Sequence, residues 1–384
     1  MSAALPGSRR RAAARDARRD SAVPYDAAYD ATRDVVATVS SGPAPASARR
    51  EADRFRRLVA VTLVLTLALL MLGAWVRLTD AGLGCPDWPG CYGKLTPAQA
   101  RAQIAEAVAG QGGEHGPVSM GKAWREMGHR YVAMLLGLLV IAIAALAWRW
   151  RERLGQSPWL ATVLVGVVVL QGLFGKWTVT LLLKPAIVTG HLLGGLLTFV
   201  LLLWLWLRQQ PRARYVDPEP AAALALPLRL AILAVVAQIF LGGWTSTNYA
   251  ALACTDLPTC QGSWWPQVNF ADGFHFLREL GRTGDGELLP AEALTAIHLS
   301  HRIGALVVLA LAGWAGWRAW RAPGEERLGA AVLGALGVQW LLGLSNVWFS
   351  LPLPVAVAHN GGAAVLLALL VVLHFRAVRA GRMV

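Results

Sequence analysis

Eight long apolar stretches constrain this 384-residue chain more than any other feature. Each is close to the roughly 20 residues that an α-helix needs to cross the hydrocarbon core of a bilayer. Backbone polar groups find no water there, so such a stretch must satisfy them internally as a helix. With 55% hydrophobic and only 15% charged residues, the chain is predicted to be an all-α polytopic membrane protein. The predicted spans are 58–78, 128–148, 158–178, 185–207, 228–248, 297–317, 328–350 and 354–375.

Arginines flank these stretches on one side only. Short cytoplasmic loops carry an excess of Lys and Arg, so this asymmetry predicts the orientation. Both termini should be cytoplasmic, in a bacterial-type inner membrane, and the two long loops, 79–127 and 249–296, should face outward. The flanking arginines are Arg49, Arg50, Arg54, Arg56, Arg57, Arg149, Arg151, Arg153, Arg208, Arg212, Arg214, Arg318, Arg321, Arg327, Arg376, Arg379 and Arg382.

The first 57 residues are rich in Ala, Arg, Ser and Asp and show no apolar periodicity. We expect a disordered, solvated basic tail without a cleavable signal peptide; an interaction arm or targeting segment is the alternative. The net charge of +13 comes almost entirely from this tail and the flanking arginines. Since no basic-aromatic face accompanies it, nucleic acid is not an expected partner.

The chain repeats itself at an interval of 168 to 172 residues. An interval of this size that contains four spans returns the chain to the same side of the membrane, so the copies should be parallel. We predict two four-helix bundles, 58–210 and 211–384. The matched positions are Trp75 and Trp244, Cys85 and Cys254, His129 and His301, Gln171 and Gln339, and His191 and His359.

Four cysteines lie in the two outer loops, as Cys85 with Cys91 and Cys254 with Cys260. Loops on the oxidising side of a membrane favour disulfides, so each pair is predicted to close its own loop. Zinc binding is a weaker alternative because the two pairs lie in different halves and thiolate sites favour reducing compartments. A redox-active pair that passes electrons to a bound cofactor is the remaining alternative.

Four intramembrane histidines, His129, His191, His301 and His359, each lie a few residues inside a span that begins outside. A single such histidine is as well explained by an interhelical hydrogen bond. Two at equal depth in each half indicate the axial ligands of one iron, and thus a bis-histidine haem in each bundle. Zinc or copper would usually require a third or fourth converging ligand.

An arginine directly follows the first histidine of each half, Arg130 in one and Arg302 in the other. Both are candidates to pair with haem propionates. The alternative is that their side chains snorkel to the membrane interface.

Several of these motifs together resemble the haem A synthase family. They are VRLTDAGLGCPDWP at residues 76–89, Glu126-x-x-His129-Arg130, and the later His191, His301 and His359. The match covers about 58–375. The resemblance implies eight transmembrane helices in two bundles and oxidation of the C8 methyl of haem O to the formyl group of haem A, for cytochrome oxidase assembly.

The same resemblance implies a division of labour between the two halves. His301 and His359 would hold a resident haem b, whereas Glu126, His129 and His191 would belong to the substrate haem site. The paired outer-loop cysteines resemble one subgroup of the family. Members of the family act in the lipid bilayer. The candidate partners are the haem O-producing enzyme, an unidentified electron donor and a second copy of the chain.

The two halves also differ in a way that does not depend on the family resemblance. Three positions before the first histidine stands Glu126 in one half and His298 in the other, on the same helix face as the ligand. A carboxylate can stabilise positive charge or accept a proton during methyl oxidation, so Glu126 is the candidate catalytic residue. An ion pair with Arg125 or Arg130 is its alternative role, and His298 should be a structural hydrogen-bonder. A di-haem b cytochrome that only transfers electrons is the alternative function.

Overall fold

The computed structural model describes residues 46–210 and 218–380, and its regular structure there is helical. Eight helices in this part are long and apolar enough to cross a membrane, which confirms the predicted fold class. We label them α1 (Ala46–Leu78), α2 (Met120–Arg149), α3 (Trp159–Thr180), α4 (Pro185–Arg208), α5 (Pro218–Thr247), α6 (Ala291–Trp320), α7 (Glu326–Trp348) and α8 (Leu353–Ala380).

Helix α1 begins earlier than the sequence predicted. Residues 46–57 were expected to belong to the tail but form its first turns, so this boundary is wrong. The reason is that Phe55 is fully buried and packs with Val140 and Ile143 of α2, which extends the apolar face of the helix. The rest of the expected tail, residues 1–45, lies outside the described residues.

Helices α2 and α6 also begin earlier than predicted. Ser119 caps α2, because its hydroxyl accepts a hydrogen bond from the backbone N–H of Lys122 at 3.2 Å. Residues 120–127 of α2 are therefore helical, and residues 291–296 of α6 are helical too, although the sequence predicted both segments as parts of the long loops. His129 and His301 consequently lie more than two turns inside regular helix, where their positions are fixed by the backbone.

The second half forms a closed ring of contacts, in which α5 packs on α6, α6 on α7, α7 on α8 and α8 on α5. In the first half, one apolar cluster joins all four helices. Its fully or almost fully buried members are Phe55, Val59, Val140, Ile143, Ala147, Ala161, Leu164, Leu202 and Leu205. Both arrangements are compatible with two four-helix bundles, and the boundary expected at 210/211 falls at the edge of the described residues.

Contacts between the halves join positions that match in the repeat. The Arg77 guanidinium donates to the carbonyl of Ser246 at 2.7 Å, and the Tyr249 hydroxyl lies 2.7 Å from the Asp80 carboxylate. Each pair is separated by 169 residues in sequence, the interval of the repeat. Contacts between matched positions are compatible with a parallel duplication.

Four of the helices have few buried residues near the histidines. In α2, no residue between Met127 and Leu136 is buried, and in α6 none is buried between His298 and Val308. The same holds in α3 between residues 164 and 179 and in α7 between residues 336 and 348. Helix α5 differs, since Gly243, Trp244 and Thr245 are buried directly after Gly242, which contacts His301.

Candidate functional site

The four predicted histidines meet as two pairs. The ring centres of His129 on α2 and His191 on α4 are 6.5 Å apart, with ring planes at 78°. His301 on α6 and His359 on α8 have the same separation and angle. Two such pairs, one in each half, are the arrangement that the sequence predicted.

This separation suits two ligands on opposite sides of one metal ion. A coordinating ring nitrogen lies about 2.0 Å from the metal and about 1.1 Å from its own ring centre, so opposed imidazoles have centres about 6.2 Å apart. The observed 6.5 Å is close to that value and too long for a direct hydrogen bond between the rings. The pairs thus fit a bis-histidine haem iron.

The polar atoms of the rings support the same conclusion. The Nδ1 atoms of His129, His191 and His359 are buried and have no hydrogen-bond partner among the described residues. A buried polar atom without a partner is costly and calls for an explanation. Among residues 46–210 and 218–380, no group of three or more His, Cys, Asp or Glu side chains gathers as a metal site. Two imidazoles with space between them fit haem better than a bare metal ion.

Glycines of neighbouring helices allow the rings to take these positions. A Cβ added to Gly73 of α1 would stand 3.1 Å from Cε1 of His129, and one added to Gly242 of α5 would stand 3.1 Å from Cε1 of His301. Gly343 of α7 approaches His359 in the same way at 3.2 Å. A larger side chain would push each ring away from its partner histidine.

Two disulfide-closed loops lie against the first turns of α2 and α6, and their cysteines pair as predicted. Cys85 pairs with Cys91 and Cys254 with Cys260, with Cα atoms 4.9 and 4.8 Å apart. Within the second loop the Asp256 carboxylate accepts hydrogen bonds from the Thr259 hydroxyl and from the backbone N–H groups of residues 261 and 262. These bonds, that of Thr259 above all, lower the pKa of Asp256 to about 2, so the carboxylate is ionised at every physiological pH.

Non-reducing peptide mapping by mass spectrometry should show only the two within-loop links. The physical reason is that each cysteine already lies at disulfide distance from its loop partner, and the loops cap different halves. A peptide that joins Cys85 to Cys254 or Cys260 would contradict this arrangement.

In the first half, Glu126 ties the cysteine loop to α2. Its carboxylate accepts the backbone N–H of Cys85 at 2.8 Å and forms an ion pair with Arg130. The same guanidinium donates to the carbonyls of Asp87 at 2.8 Å and Gly90 at 2.6 Å. Glu126 is only 5% exposed, so the carboxylate is held at one place next to the histidine helix. The ion pair weighed as its alternative role is therefore formed.

In the second half, His298 takes the place of Glu126. The backbone N–H of Cys254 donates to its Nδ1 at 3.2 Å, and Arg302 Nε lies 3.3 Å from its Nε2. Arg302 also donates to the carbonyls of Thr259 and Cys254, at 2.9 and 2.8 Å. His298 is thus confirmed as a structural hydrogen-bonder. Both arginines bind the cysteine loops here, and their role toward propionates stays a prediction.

Sequence analysis missed one part of the site, a set of glutamines beside the histidines. Gln238 of α5 donates to the backbone carbonyl of His301 at 2.8 Å, and Gln339 of α7 donates to that of His359 at 3.0 Å. The signal was present as Gln-x-x-x-Gly, in which the glycine is the one that contacts the histidine ring. Only the spacing from Gln171 and Gln339 to the histidines had been noticed.

These features define a class, a multi-pass helical membrane protein with two matched histidine pairs, each below a disulfide-closed loop. The model of the cytochrome oxidase assembly protein family matches residues 56–371. Heme A synthase of Shewanella oneidensis is 42% identical over 318 residues, which cover 83% of this chain and 95% of the relative. Heme A synthase of Caulobacter sp. strain K31 is 30% identical over 328 residues, 80% and 91% of the two chains. The chain belongs to the haem A synthase family.

Proposed function

We propose that this protein is a membrane haem-modifying oxidoreductase that makes haem A for cytochrome oxidase assembly, by oxidising the C8 methyl of haem O to a formyl group. The observation that carries the proposal is that the two halves share the same histidine spacing but differ in the residue one turn before the first histidine. Both halves hold two histidines at 6.5 Å, but only the first places a buried carboxylate one turn away from its histidine. The family relationship supports the substrate class.

In this proposal the first half binds the substrate. His129 and His191 hold the iron of haem O and orient the ring with respect to α2. Conversion of the methyl to a formyl group takes up one oxygen atom and removes four electrons, which leave to a redox protein outside the chain. With water as the oxygen source four protons are released, and Glu126 is the anionic group at that end of the helix. Its position is fixed by Cys85 and Arg130, so little reorganisation is needed as charge develops. Glu126 is accordingly the proposed catalytic residue.

The second half is the proposed site of a resident haem b, held by His301 and His359. When bound, that haem supplies one-electron transfer. In this half His298 stands at the position of Glu126 and accepts the N–H of Cys254, so the site has no carboxylate there. This difference suits an electron relay rather than a second site of methyl oxidation.

The proposed topology places both sites near the outer face of a bacterial membrane, with both chain ends cytoplasmic. The supporting pattern is the arginine asymmetry, since Arg149, Arg208 and Arg318 all lie in the last turn of their helices, on one side of the predicted bundle. Haem O is itself an apolar, membrane-borne substrate. The proposed partners are therefore the bilayer, the enzyme that supplies haem O and a redox protein.

The test is to express the protein with and without a haem O source and to identify the extracted haems chromatographically. We expect new haem A only when haem O is supplied, together with haem b in the purified protein. Cells that express the haem O source alone are the control. Haem O recovered unchanged with the protein present, alongside two haem b groups for each chain, would overturn the proposal and support the di-haem b cytochrome instead.

A further inference from the structure

The four histidines of the two pairs are not held equally by the helices beside them. Each ring contacts a glycine on the preceding helix, namely Gly73, Gly175, Gly242 or Gly343. One helical turn earlier, at the fourth residue before that glycine, three of the helices carry a glutamine on the same face. These residues are Gln171 for His191, Gln238 for His301 and Gln339 for His359; the matching position for His129 is Leu69.

Each glutamine fits into a space left by a second glycine. Gly194, Gly304 and Gly362 stand three residues after their histidines. In all three, a Cβ added to the glycine would overlap the amide group of Gln171, Gln238 or Gln339 respectively. The amide thus lies directly against the backbone of the histidine helix, which is possible only with glycine at that position.

Two of the three glutamines also hydrogen-bond to the backbone of the histidine helix. Gln238 Nε2 donates to the His301 carbonyl at 2.8 Å and lies 3.0 Å from the ring Nδ1. Gln339 Nε2 donates to the His359 carbonyl at 3.0 Å. Interhelical bonds of this kind fix both the helix position and the ring that it carries. We call the glutamine and its glycine a clamp.

Both parts of the clamp are missing around His129. Leu69 has no donor to offer, and Val132 carries a branched side chain where the other three helices have glycine. Among the hydrogen bonds of the described residues, no side chain donates to the carbonyl of His129 or of His191, but His191 keeps the contact between the Gln171 amide and Gly194, which His129 lacks. The glutamine and the glycine are absent together at His129. We therefore treat their absence as a single structural difference between His129 and the other three histidines.

We propose that His129 is the exchanging ligand, the one whose bond to iron breaks first when product leaves and forms last when substrate enters. This inference rests on the proposed function. A resident haem needs two firmly held ligands, as His301 and His359 are, whereas a substrate haem must be bound and released in every cycle. Loss of a residue that supports a metal ligand typically weakens metal binding by 10 to 100-fold. A clamped His191 with an unclamped His129 gives the first half one fixed and one releasable ligand.

The test adds the clamp to the first half with the double variant Leu69→Gln/Val132→Gly. Purified, haem-loaded protein is mixed with excess apomyoglobin as a haem acceptor, and the haem left on the protein is identified after extraction. We expect haem O and haem A to leave roughly 10 to 100-fold more slowly than from the unaltered protein. The rate of haem b loss should not change. A clamp of merely structural importance would not slow haem release.

The reciprocal variant, Gln238→Leu/Gly304→Val, removes the clamp of His301 and is the matched control. Haem b should now pass to apomyoglobin roughly 10 to 100-fold faster, with the release of haem O and haem A unchanged. The opposite signs of the two effects are the signature of the clamp. Unchanged release in both double variants would overturn the inference.

Two further variants are needed, one in case the double variant does not fold and one to separate this inference from the proposed function. If Leu69→Gln/Val132→Gly fails to fold, the single variant Gln238→Leu must still speed haem b loss, or the clamp has no role. His129→Ala separates this inference from the proposed function. If that variant keeps haem O with an unaltered spectrum, His129 is no ligand and the proposed function itself fails; if the spectrum changes but the clamp variants do nothing, only the clamp fails.

Discussion

Glu126→Gln is expected to abolish most haem A formation while the protein remains folded with its haem b. Glutamine keeps the shape and can still accept the Cys85 N–H, but it loses the negative charge that pairs with Arg130. If the carboxylate stabilises charge or takes a proton during methyl oxidation, the rate of conversion should fall about 10² to 10⁴-fold. Binding of haem O should change much less, because the histidines remain. Haem O or a hydroxymethyl intermediate should accumulate.

The matched control is His298→Gln in the second half. His298 occupies the same place relative to the cysteine loop, accepting the Cys254 N–H at 3.2 Å, so this variant disturbs the same kind of anchor. We expect little change in the ratio of haem A to haem O. The measurement is the haem composition of purified protein together with single-turnover conversion. Wild-type conversion by Glu126→Gln, or equal losses in both variants, would assign Glu126 to loop anchoring alone.

His301→Ala and His359→Ala are each expected to remove the low-spin haem b signal. Loss of one axial ligand leaves the iron five-coordinate, and the remaining histidine holds it weakly. His301 and His359 lie on α6 and α8, whereas His129 and His191 lie on α2 and α4. Binding of haem O in the first half should therefore persist. Absorption and electron paramagnetic resonance spectra of the purified variants measure both signals.

A histidine outside the pairs provides the control for this experiment. His374 lies on α8 as His359 does, four turns further along the helix, so His374→Ala makes the same chemical change in the same element. We expect it to keep the bis-histidine spectrum and the full haem content. A His301→Ala protein that keeps both would show that the second half binds haem b through other residues or not at all.

The number of helices and the internal repeat could be predicted from sequence because both are local properties. An apolar stretch of about 20 residues becomes a membrane helix whatever its neighbours are. Helix ends were less predictable. Residues 46–57 are charged, and only the packing of Phe55 against α2 shows why the helix extends through them. The early start of α2 likewise depends on its Ser119 cap.

For Glu126, the sequence predicted the position of the side chain but not all of its hydrogen-bond partners. Its position beside His129 follows from helical spacing, and the contrast with His298 is visible in the sequence. The partners of its two carboxylate oxygens were beyond prediction, since Cys85 lies 41 residues away in a separate loop. The same applies to Arg130 and Arg302, whose carbonyl acceptors in the cysteine loops can be identified only after the loops are folded over the helices.

The sequence by itself determined an eight-helix membrane protein, its internal repeat, its disulfide pairs and the four intramembrane histidines that we propose as haem ligands. Only the tertiary structure brought those histidines to 6.5 Å, fixed Glu126 and His298 under the loops, and set the glutamines against three of the four histidine helices. The physical reason is that hydropathy and helical spacing act within one segment. Distances between segments depend on side-chain packing across helices that are far apart in sequence, and here on glycines that let those helices approach.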